Sequence, residues 1–239
     1  MFVTIKWYIK FIGSLIANNH YLKKVDKLLE AGKVKEYEEF VTEKVSEWAR
    51  DRVRDSESAV AIKGLENIPK EGSMLFVSNH QSNFDILLLL GYLPVPKGFI
   101  AKLELEHFPF VSQWMKRIHC LFMDRNDMKQ SAQTIIKGVR QLENGINMVI
   151  FPEGTRSKTG ELGEFKAGSF KLAVKSKKPL IPITIDGTRN VMEDNNYMIR
   201  GRTINLYIHE PIDTTTLSKE EIAELPDKVK AIIEKDLIK

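Results

Sequence analysis

Cysteine is almost absent from the sequence, since Cys120 is the only one among 239 residues. A single thiol can form neither an internal disulfide nor a thiolate metal cluster, and this composition is typical of a protein from a reducing compartment. The sequence also lacks an H-E-x-x-H segment, which is the usual signature of a helical zinc site. We therefore expect no bound metal.

A strong excess of charge of one sign is absent too. The chain has 36 lysine and arginine residues against 32 aspartate and glutamate residues, which gives a formal net charge of +4. This mild basicity does not require a nucleic-acid partner, and it is compatible with an anionic substrate or an anionic lipid surface. The sequence contains neither a P-loop, nor a G-x-G-x-x-G dinucleotide fingerprint, nor a G-x-S-x-G hydrolase segment.

A long uninterrupted apolar run is also missing. The first 17 residues, MFVTIKWYIKFIGSLIA, are very apolar, but two lysines interrupt them. A membrane-spanning helix needs about 20 predominantly apolar residues, and a signal peptide carries its positive charge before the apolar core. On a helical wheel the small and polar residues form one stripe, made of Lys6, Lys10, Gly13, Ser14 and Ala17. This pattern predicts a helix that lies in the membrane interface with its lysines toward the headgroups. A helix packed on the protein's own core and a single tilted span are the alternatives.

The pattern of apolar residues in the sequence changes at about residue 55. Apolar side chains recur at three- and four-residue steps before it, and we assign residues 1–55 to a helical, membrane-associating element. Residues 56–239 alternate short β-rich segments with helical ones, which predicts an α/β domain with a mainly parallel or mixed central sheet flanked by helices. The predicted strands are AVAIKGL, SMLFVSN, GFIAKLEL, HCLFMDR, NMVIF, PLIPITI and RTINLYIHE. Ser218 and Glu221 predict a capped terminal helix, with a break or a second start near Pro226.

The segment FVSNHQSNFDILLLL places His80 and Asp85 against an apolar run. One interpretation is a capped core helix, in which Ser82 is the N-cap and Asp85 accepts hydrogen bonds from backbone N–H groups. The other is a catalytic pair. It requires His80 to lie in the turn before the helix and Asp85 in its first turn, because five steps along one helix put two side chains on different faces. Asp85 can then fix the imidazole tautomer and leave the other ring nitrogen as a general base.

A histidine base needs a nucleophile to activate, and the sequence offers few on the enzyme itself. His119 and Cys120 are neighbours on a predicted strand, so their side chains point to opposite faces and make a poor dyad. A lone histidine and aspartate also provide too few ligands for a metal. The favoured interpretation is a base that activates a hydroxyl group of the substrate. A hydrolase that uses Ser82 or water, such as a thioesterase or lysophospholipase, and a non-catalytic lipid-binding module are the alternatives.

A second segment, IFPEGTRS, ends a predicted strand at Pro152 and delivers Arg156 to the end of the sheet. Gly154 permits the tight backbone path of this turn. The planar guanidinium of Arg156 suits a phosphate group. Glu153 is predicted to hold Arg156 by a salt bridge.

Two further cations stand where predicted strands finish. Lys102 ends FIAK, and Arg125 ends LFMDR. Ligands of α/β proteins bind at the carboxyl ends of the strands, so these two side chains and Arg156 predict one shared anion pocket. For each cation taken singly, the alternative is a solvated surface charge.

These segments together resemble a known family. NHQSNFD is similar to the N-H-x-x-x-x-D motif, and FPEGTRS to the F-P-E-G-T-R-S motif, of the 1-acyl-sn-glycerol-3-phosphate acyltransferases, which belong to the glycerolipid acyltransferase superfamily. LFMDR resembles the intervening F-x-x-R block and LIPITI the fourth block, so that the resemblance covers roughly residues 60–210. His119 stands where the family usually has a glycine at the start of its second block. This departure concerns the expected pocket shape and acyl preference, not the chemistry.

The resemblance implies transfer of a fatty acyl group from acyl-CoA or acyl-ACP to the 2-hydroxyl of lysophosphatidic acid, giving phosphatidic acid in phospholipid biosynthesis. The thioester is a co-substrate, and no cofactor is expected. His80 and Asp85 are then the catalytic residues. The implied substrate-binding residues are Lys102, Arg125, Glu153, Gly154, Thr155 and Arg156. The expected location is the cytoplasmic face of a membrane, where the acceptor lies in the bilayer.

Overall fold

The structure, a computed structural model, describes residues 1–237, which contain eight α-helices and seven strands joined by loops and short 3₁₀ turns. The helices are α1 (Phe2–Ala17), α2 (Leu22–Glu30), α3 (Val34–Asp55), α4 (Phe84–Tyr92), α5 (Val111–Arg117), α6 (Met128–Glu143), α7 (Ala167–Ser176) and α8 (Lys219–Lys235). The strands are β1 (Ala59–Lys63), β2 (Leu75–Ser78), β3 (Lys97–Lys102), β4 (Leu121–Met123), β5 (Asn147–Ile150), β6 (Leu180–Asp186) and β7 (Thr203–Ile208). Each predicted strand segment overlaps one of them.

The seven strands form one sheet in the order β1-β7-β6-β2-β5-β3-β4. All neighbouring pairs are parallel except β6 and β7, which are antiparallel. The predicted α/β architecture with a mixed central sheet is therefore confirmed. Helices follow most strands because a parallel neighbour can be reached only by a crossover connection.

Successive side chains on each strand point to opposite faces of the sheet, and both faces are covered by packed apolar residues. On β2, Phe76 packs with Phe84 and Leu88 of α4 on one face, whereas Leu75 and Val77 pack with the cluster beneath α6, α7 and α8 on the other. The leucines of the run after Asp85 are mostly core residues, since Leu87, Leu88, Leu89 and Leu90 are all buried. Burial of each such large apolar side chain contributes about 1.5–3 kcal/mol to the stability of the fold.

The front helices share this core. Trp7 of α1 is 3% exposed and its ring lies 5.4 Å from that of Phe84, while Ala49 and Val53 of α3 belong to the same cluster. The Trp7 indole N–H donates to the carbonyl of Arg52 over 2.8 Å. The helical region ends at Asp55, and the sheet starts at Ala59. The division of the chain into 1–55 and 56–239 stays a prediction.

One face of α1 remains open. We call the outer stripe of α1 the side chains of Phe2, Ile5, Ile9, Ile12 and Ile16, each more than half exposed. On the inner side Lys10 pairs with Asp55, and Ser14 Oγ accepts from the Trp48 indole N–H over 2.8 Å. Lys10, which was predicted to reach toward lipid headgroups, pairs with Asp55 in the structure, and its position relative to a bilayer stays a prediction. Within residues 1–237 no helix combines the length and apolarity that a membrane crossing requires.

Two local expectations are also wrong. The strand that begins at Lys97 ends at Lys102, and the following residues Leu103–His107 form a 3₁₀ helix instead of extending it. Pro226 lies inside α8 without a break. Leu225, Pro226 and Val229 are all buried, so packing against the sheet holds the helix together although the proline supplies no N–H donor.

Candidate active site

The carboxyl ends of five parallel strands meet at one edge of the sheet, and the predicted site residues follow them directly. His80 comes two residues after β2, Glu153 three residues after β5, and Arg125 two residues after β4, while Lys102 is the last residue of β3. Thr188 follows β6 in the same way. The site is therefore a product of strand order, as is usual in open α/β sheets.

Asn79 sets the start of the turn that carries His80. Its buried side-chain amide donates to the carbonyl of Ile185 and accepts from the N–H of the same residue, both over 2.8 Å. This pair of bonds extends the β2–β6 contact by one residue with a side chain in place of backbone. It gives a structural role to the polar residue that precedes His80.

His80 and Asp85 are in contact. The Nδ1 atom of His80 lies 2.7 Å from Oδ2 of Asp85, and the Asp85 side chain is completely buried. The same oxygen accepts from the backbone N–H groups of Gln81 and Ser82 over 2.6 and 2.8 Å. Asp85 thus caps the start of α4 and also orients His80, so the contacts expected from the capped-helix interpretation and from the catalytic-pair interpretation are both present in one carboxylate.

The imidazole presents its other nitrogen to the site. Because Nδ1–H donates to Asp85, Nε2 carries the lone pair, and it has no hydrogen-bond partner among residues 1–237. The ring stacks on Phe151 with 4.0 Å between centroids, and the His80 side chain is 15% exposed. A substrate hydroxyl can therefore reach a nitrogen that is already in the tautomer of a general base.

Glu153 holds backbone instead of Arg156. Its Oε1 accepts from the N–H of His80 over 2.8 Å, and its Oε2 accepts from the N–H of Gly163 over 2.9 Å. Burial raises the pKa of this carboxyl group, although both backbone donors act in the opposite direction. The predicted Glu153–Arg156 salt bridge is wrong, because the Glu153 carboxylate instead accepts from the backbone N–H groups of His80 and Gly163.

A cavity of about 370 Å³ lies beside this turn. Nine residues line it, five of them predicted site residues: Lys102, Glu104, Asp124, Arg125, Asn126, Glu153, Gly154, Thr155 and Lys166. Gly154 has a φ of 73°, and a Cβ there would stand 3.0 Å from the Lys166 ammonium, so glycine suits both the backbone conformation and the space. Desolvation lowers the pKa of Arg125, while the nearby Glu104 carboxylate acts in the opposite direction.

Arg156 does not line that cavity. Its NH1 donates to Oε1 of Glu193 over 3.0 Å, and Glu193 also accepts from the backbone N–H of Asn83 over 2.9 Å and from the Ser82 hydroxyl. The expectation that Arg156 shares one pocket with Lys102 and Arg125 is therefore wrong for the structure as it stands. Arg156 lies instead against the turn before α4, the same turn that carries His80.

The nucleophiles that an enzyme-bound intermediate would need are engaged elsewhere. Ser82 is fully buried, with its hydroxyl donating to Glu193 and accepting from the N–H of Phe84 over 3.0 Å. Cys120 is buried as well, and desolvation raises the pKa of its thiol to about 12. These contacts favour a base that acts on the substrate's own hydroxyl group.

Sequence reasoning missed three groups that hold the site: Phe151 under the imidazole, and Thr188 and Glu193 after β6. Thr188 donates to Oδ1 of Asp85 over 2.6 Å. Phe151 is the last residue of the predicted strand NMVIF and belongs to the segment IFPEGTRS, so its place near the site could have been predicted from the sequence. Nothing in the local sequence around Thr188 or Glu193 marks them as site residues.

Comparison with known proteins decides the family. Residues 59–186, more than half of the chain, match the Acyltransferase family model. The chain belongs to the Acyltransferase family. The match spans β1 to β6, and so includes both the catalytic turn and the cation cavity. The prediction of an acyltransferase is thereby confirmed.

Relatives of this acyltransferase carry more specific names. It is 30% identical to the 1-acyl-sn-glycerol-3-phosphate acyltransferase of Borreliella burgdorferi over 178 residues, which are 74% of this chain and 71% of that protein. It is 32% identical to the probable 1-acyl-sn-glycerol-3-phosphate acyltransferase of Mycoplasma pneumoniae over 71% of this chain and 68% of that protein. The crystal structure of the 1-acyl-sn-glycerophosphate acyltransferase PlsC from Thermotoga maritima matches the acyltransferase with a TM-score of 0.84 and 29% identity, covering 98% of this chain and 92% of that one.

Proposed function

We propose that the protein transfers a fatty acyl group from acyl-CoA or acyl-ACP to the 2-hydroxyl of 1-acyl-sn-glycerol-3-phosphate. The product is phosphatidic acid, which places the reaction in phospholipid biosynthesis. The observation that carries this proposal is a histidine base, oriented by a buried carboxylate, next to a cavity with three cations. The names of the relatives support the same acceptor.

The chemistry follows from the free ring nitrogen. Nε2 of His80 removes the proton from the 2-hydroxyl while the hydroxyl oxygen forms a bond to the thioester carbonyl carbon. Asp85 stabilises the imidazolium that results. The carbon–sulfur bond then breaks, and the imidazolium returns the proton to the departing sulfur, which leaves as a free thiol. A positioned acid–base group contributes about 10²- to 10⁴-fold, so holding two substrates in register supplies much of the remaining acceleration.

The cavity is the proposed place for the acceptor's phosphate. Lys102, Arg125 and Lys166 bring three positive charges to its wall, which also carries the carboxylates of Glu104, Asp124 and Glu153. Lys102 pairs with Glu104 over 2.6 Å, and Thr155 adds a hydroxyl group. Because Glu153 joins the wall of this cavity to the backbone of His80, a phosphate bound there lies next to the catalytic base. Arg156 stays a proposed substrate-binding residue, with its guanidinium on Glu193 outside this cavity.

The assay that tests this function follows thiol release from acyl-CoA and acyl-ACP with a panel of acceptors. We expect thiol to appear only when lysophosphatidic acid is present, with phosphatidic acid as the product in mass spectrometry. Monoacylglycerol, which lacks the phosphate, should be at least about 10-fold poorer, because charge-assisted contacts to a phosphate are the strong ones. Replacement of Lys102 with alanine should narrow this preference for the phosphate-bearing acceptor.

The same assay separates the alternatives. Release of thiol and free fatty acid without any acceptor would indicate a thioesterase. Fatty acid release from the lysolipid alone would indicate a lysophospholipase. Lipid binding without turnover under every condition would leave a non-catalytic lipid-binding module as the remaining interpretation.

Association with the bilayer is the second part of the proposal. The acceptor is a lipid, and the outer stripe of α1 offers five exposed apolar side chains in one row, with the exposed Lys6 beside it. Such a face suits a helix lying in the headgroup region, where apolar side chains enter the acyl boundary. Location at the cytoplasmic face stays a prediction from the cysteine content.

Removing apolar surface from the stripe should weaken membrane binding. We expect the double variant Ile5→Gln, Ile9→Gln to bind vesicles of phosphatidylcholine and phosphatidylglycerol about 10-fold more weakly in co-sedimentation, because two apolar side chains no longer leave water. Glutamine keeps the helix propensity high. The control is Met128→Gln on α6, since Met128 is 88% exposed but lies away from α1. Equal binding of both variants and the unmodified protein would contradict the proposed role of the stripe.

A further inference from the structure

The oxygen of Asp85 that faces away from His80 has its own donor. The Thr188 hydroxyl donates to Oδ1 over 2.6 Å, and both side chains are completely buried. Oδ2, in contrast, accepts from the imidazole and from two backbone N–H groups. Among residues 1–237, Thr188 is the one hydrogen-bond donor on Oδ1.

Thr188 and Asp85 are 103 residues apart in the sequence, and the fold brings their side chains into contact. Thr188 follows Gly187, whose φ is 83°, in the turn after β6, and a Cβ on Gly187 would stand 2.5 Å from the carbonyl oxygen of Thr203. The turn is therefore tightly fixed, and it brings the hydroxyl beneath the start of α4. The parallel β2–β6 pairing puts the ends of these two strands side by side, so the contact depends on the sheet itself.

We propose that Thr188 is a positioning residue for the acyl transfer, acting on the base through Asp85. This inference rests on the proposed function. The hydroxyl ties Oδ1 to the β6 side of the site, which leaves Oδ2 directed at Nδ1 of His80. It also satisfies a buried carboxylate oxygen that has no access to water, and an unsatisfied group of this kind is costly.

The hydroxyl also sets the basicity of the pair. A hydrogen bond donated to a carboxylate stabilises its negative charge, so its loss makes the His80–Asp85 pair hold its proton more tightly. The base must lose that proton before it can act, so removal of the hydroxyl should shift the acidic limb of the activity profile to higher pH. The other charged groups near the pair are Glu153 on the His80 backbone and Glu193 with Arg156 beside Ser82, and the substitution leaves all three in place.

The test compares Thr188→Val with Thr188→Ser. Valine keeps the shape of threonine without the hydroxyl, and we expect kcat to fall about 10- to 100-fold, since hydrogen bonds to charged groups are among the stronger ones. The acidic limb of the kcat/KM profile should move up by about one pH unit, while KM for lysophosphatidic acid stays within about twofold. Serine retains the donor and should restore both the rate and the pH profile.

Each outcome decides the proposal. A loss of kcat in the valine variant with an unshifted pH profile would mean that Thr188 is only structural and would overturn it, as would unchanged kinetics. If the valine variant does not fold, as judged by circular dichroism, the comparison passes to Thr188→Ala, which removes the hydroxyl without adding bulk, with the same expectations. Failure of the proposed function itself is distinguishable, because the unmodified enzyme would then lack acceptor-dependent thiol release.

Discussion

Replacing His80 with alanine is expected to remove acceptor-dependent thiol release, with kcat/KM falling about 10²- to 10⁴-fold or below detection. The ring supplies the nitrogen that takes the proton of the attacking hydroxyl, and no other residue in the described chain contacts Asp85 with a titratable ring. The fold should survive, because the helix start is held by the bonds from Gln81 and Ser82 to Asp85, which the substitution leaves intact. Thiol release and circular dichroism measure the two expectations.

The matched control is His107→Ala. His107 is exposed and lies in the 3₁₀ turn after β3, so its loss should leave the rate within about twofold. An alanine variant of His80 that retains full activity would refute the assignment of the base. Equal losses in both variants would point to a general effect of histidine removal on the preparation and not to catalysis.

How much of this site could be predicted depends on how far apart in the sequence its contacting residues are. His80 and Asp85 are five residues apart, and strand–turn–helix reasoning was sufficient to bring them together. The cations Lys102 and Arg125 were also placed correctly at one cavity, because the ends of parallel strands share an edge of the sheet. Both inferences need only local patterns and a general rule about α/β folds.

The contacts that were missed depend on strand order, which the sequence did not reveal. Thr188 contacts Asp85 only because β6 lies directly beside β2. Glu193 accepts a hydrogen bond from Arg156 because the segment after β6 packs against the turn before α4. The Glu153–Arg156 pair was expected because the two residues are close in sequence. Backbone donors of His80 and Gly163 compete for that carboxylate, and a pairing rule based on charge alone does not count them.

The first helix shows a related limit. Its periodicity predicted a helix with one polar and one apolar face, and that helix is present as α1. The pattern did not determine which face meets the protein. Because Trp7 and Phe11 stack on each other and enter the core, while Ser14 bonds to Trp48, the packed side of α1 contains both aromatic and polar residues. The apolar side chains of α1 that stay exposed, and that are available for the proposed membrane contact, are those of the outer stripe.

Asp85→Asn is the substitution that separates the two functions of this carboxylate. The amide oxygen of asparagine can still accept from the N–H groups of Gln81 and Ser82, while its NH₂ group can donate to the Thr188 hydroxyl, which also accepts. The helix start should therefore remain capped, while the buried Thr188 O–H loses the carboxylate oxygen to which it donates. We expect the free energy of unfolding to change by less than about 2 kcal/mol, as measured by urea denaturation.

The rate should respond quite differently. Asparagine carries no negative charge to stabilise the imidazolium of His80, so we expect kcat to fall about 10³- to 10⁴-fold while the enzyme stays folded. The control is Asp127→Asn, because Asp127 caps α6 through the N–H groups of Lys129 and Gln130 and lies outside the site. Asparagine is as good an N-cap as aspartate, so this variant should match the unmodified enzyme in both stability and rate. If Asp85→Asn were equally harmless, Asp85 would be a helix cap and nothing more, and the catalytic pair would lose its basis.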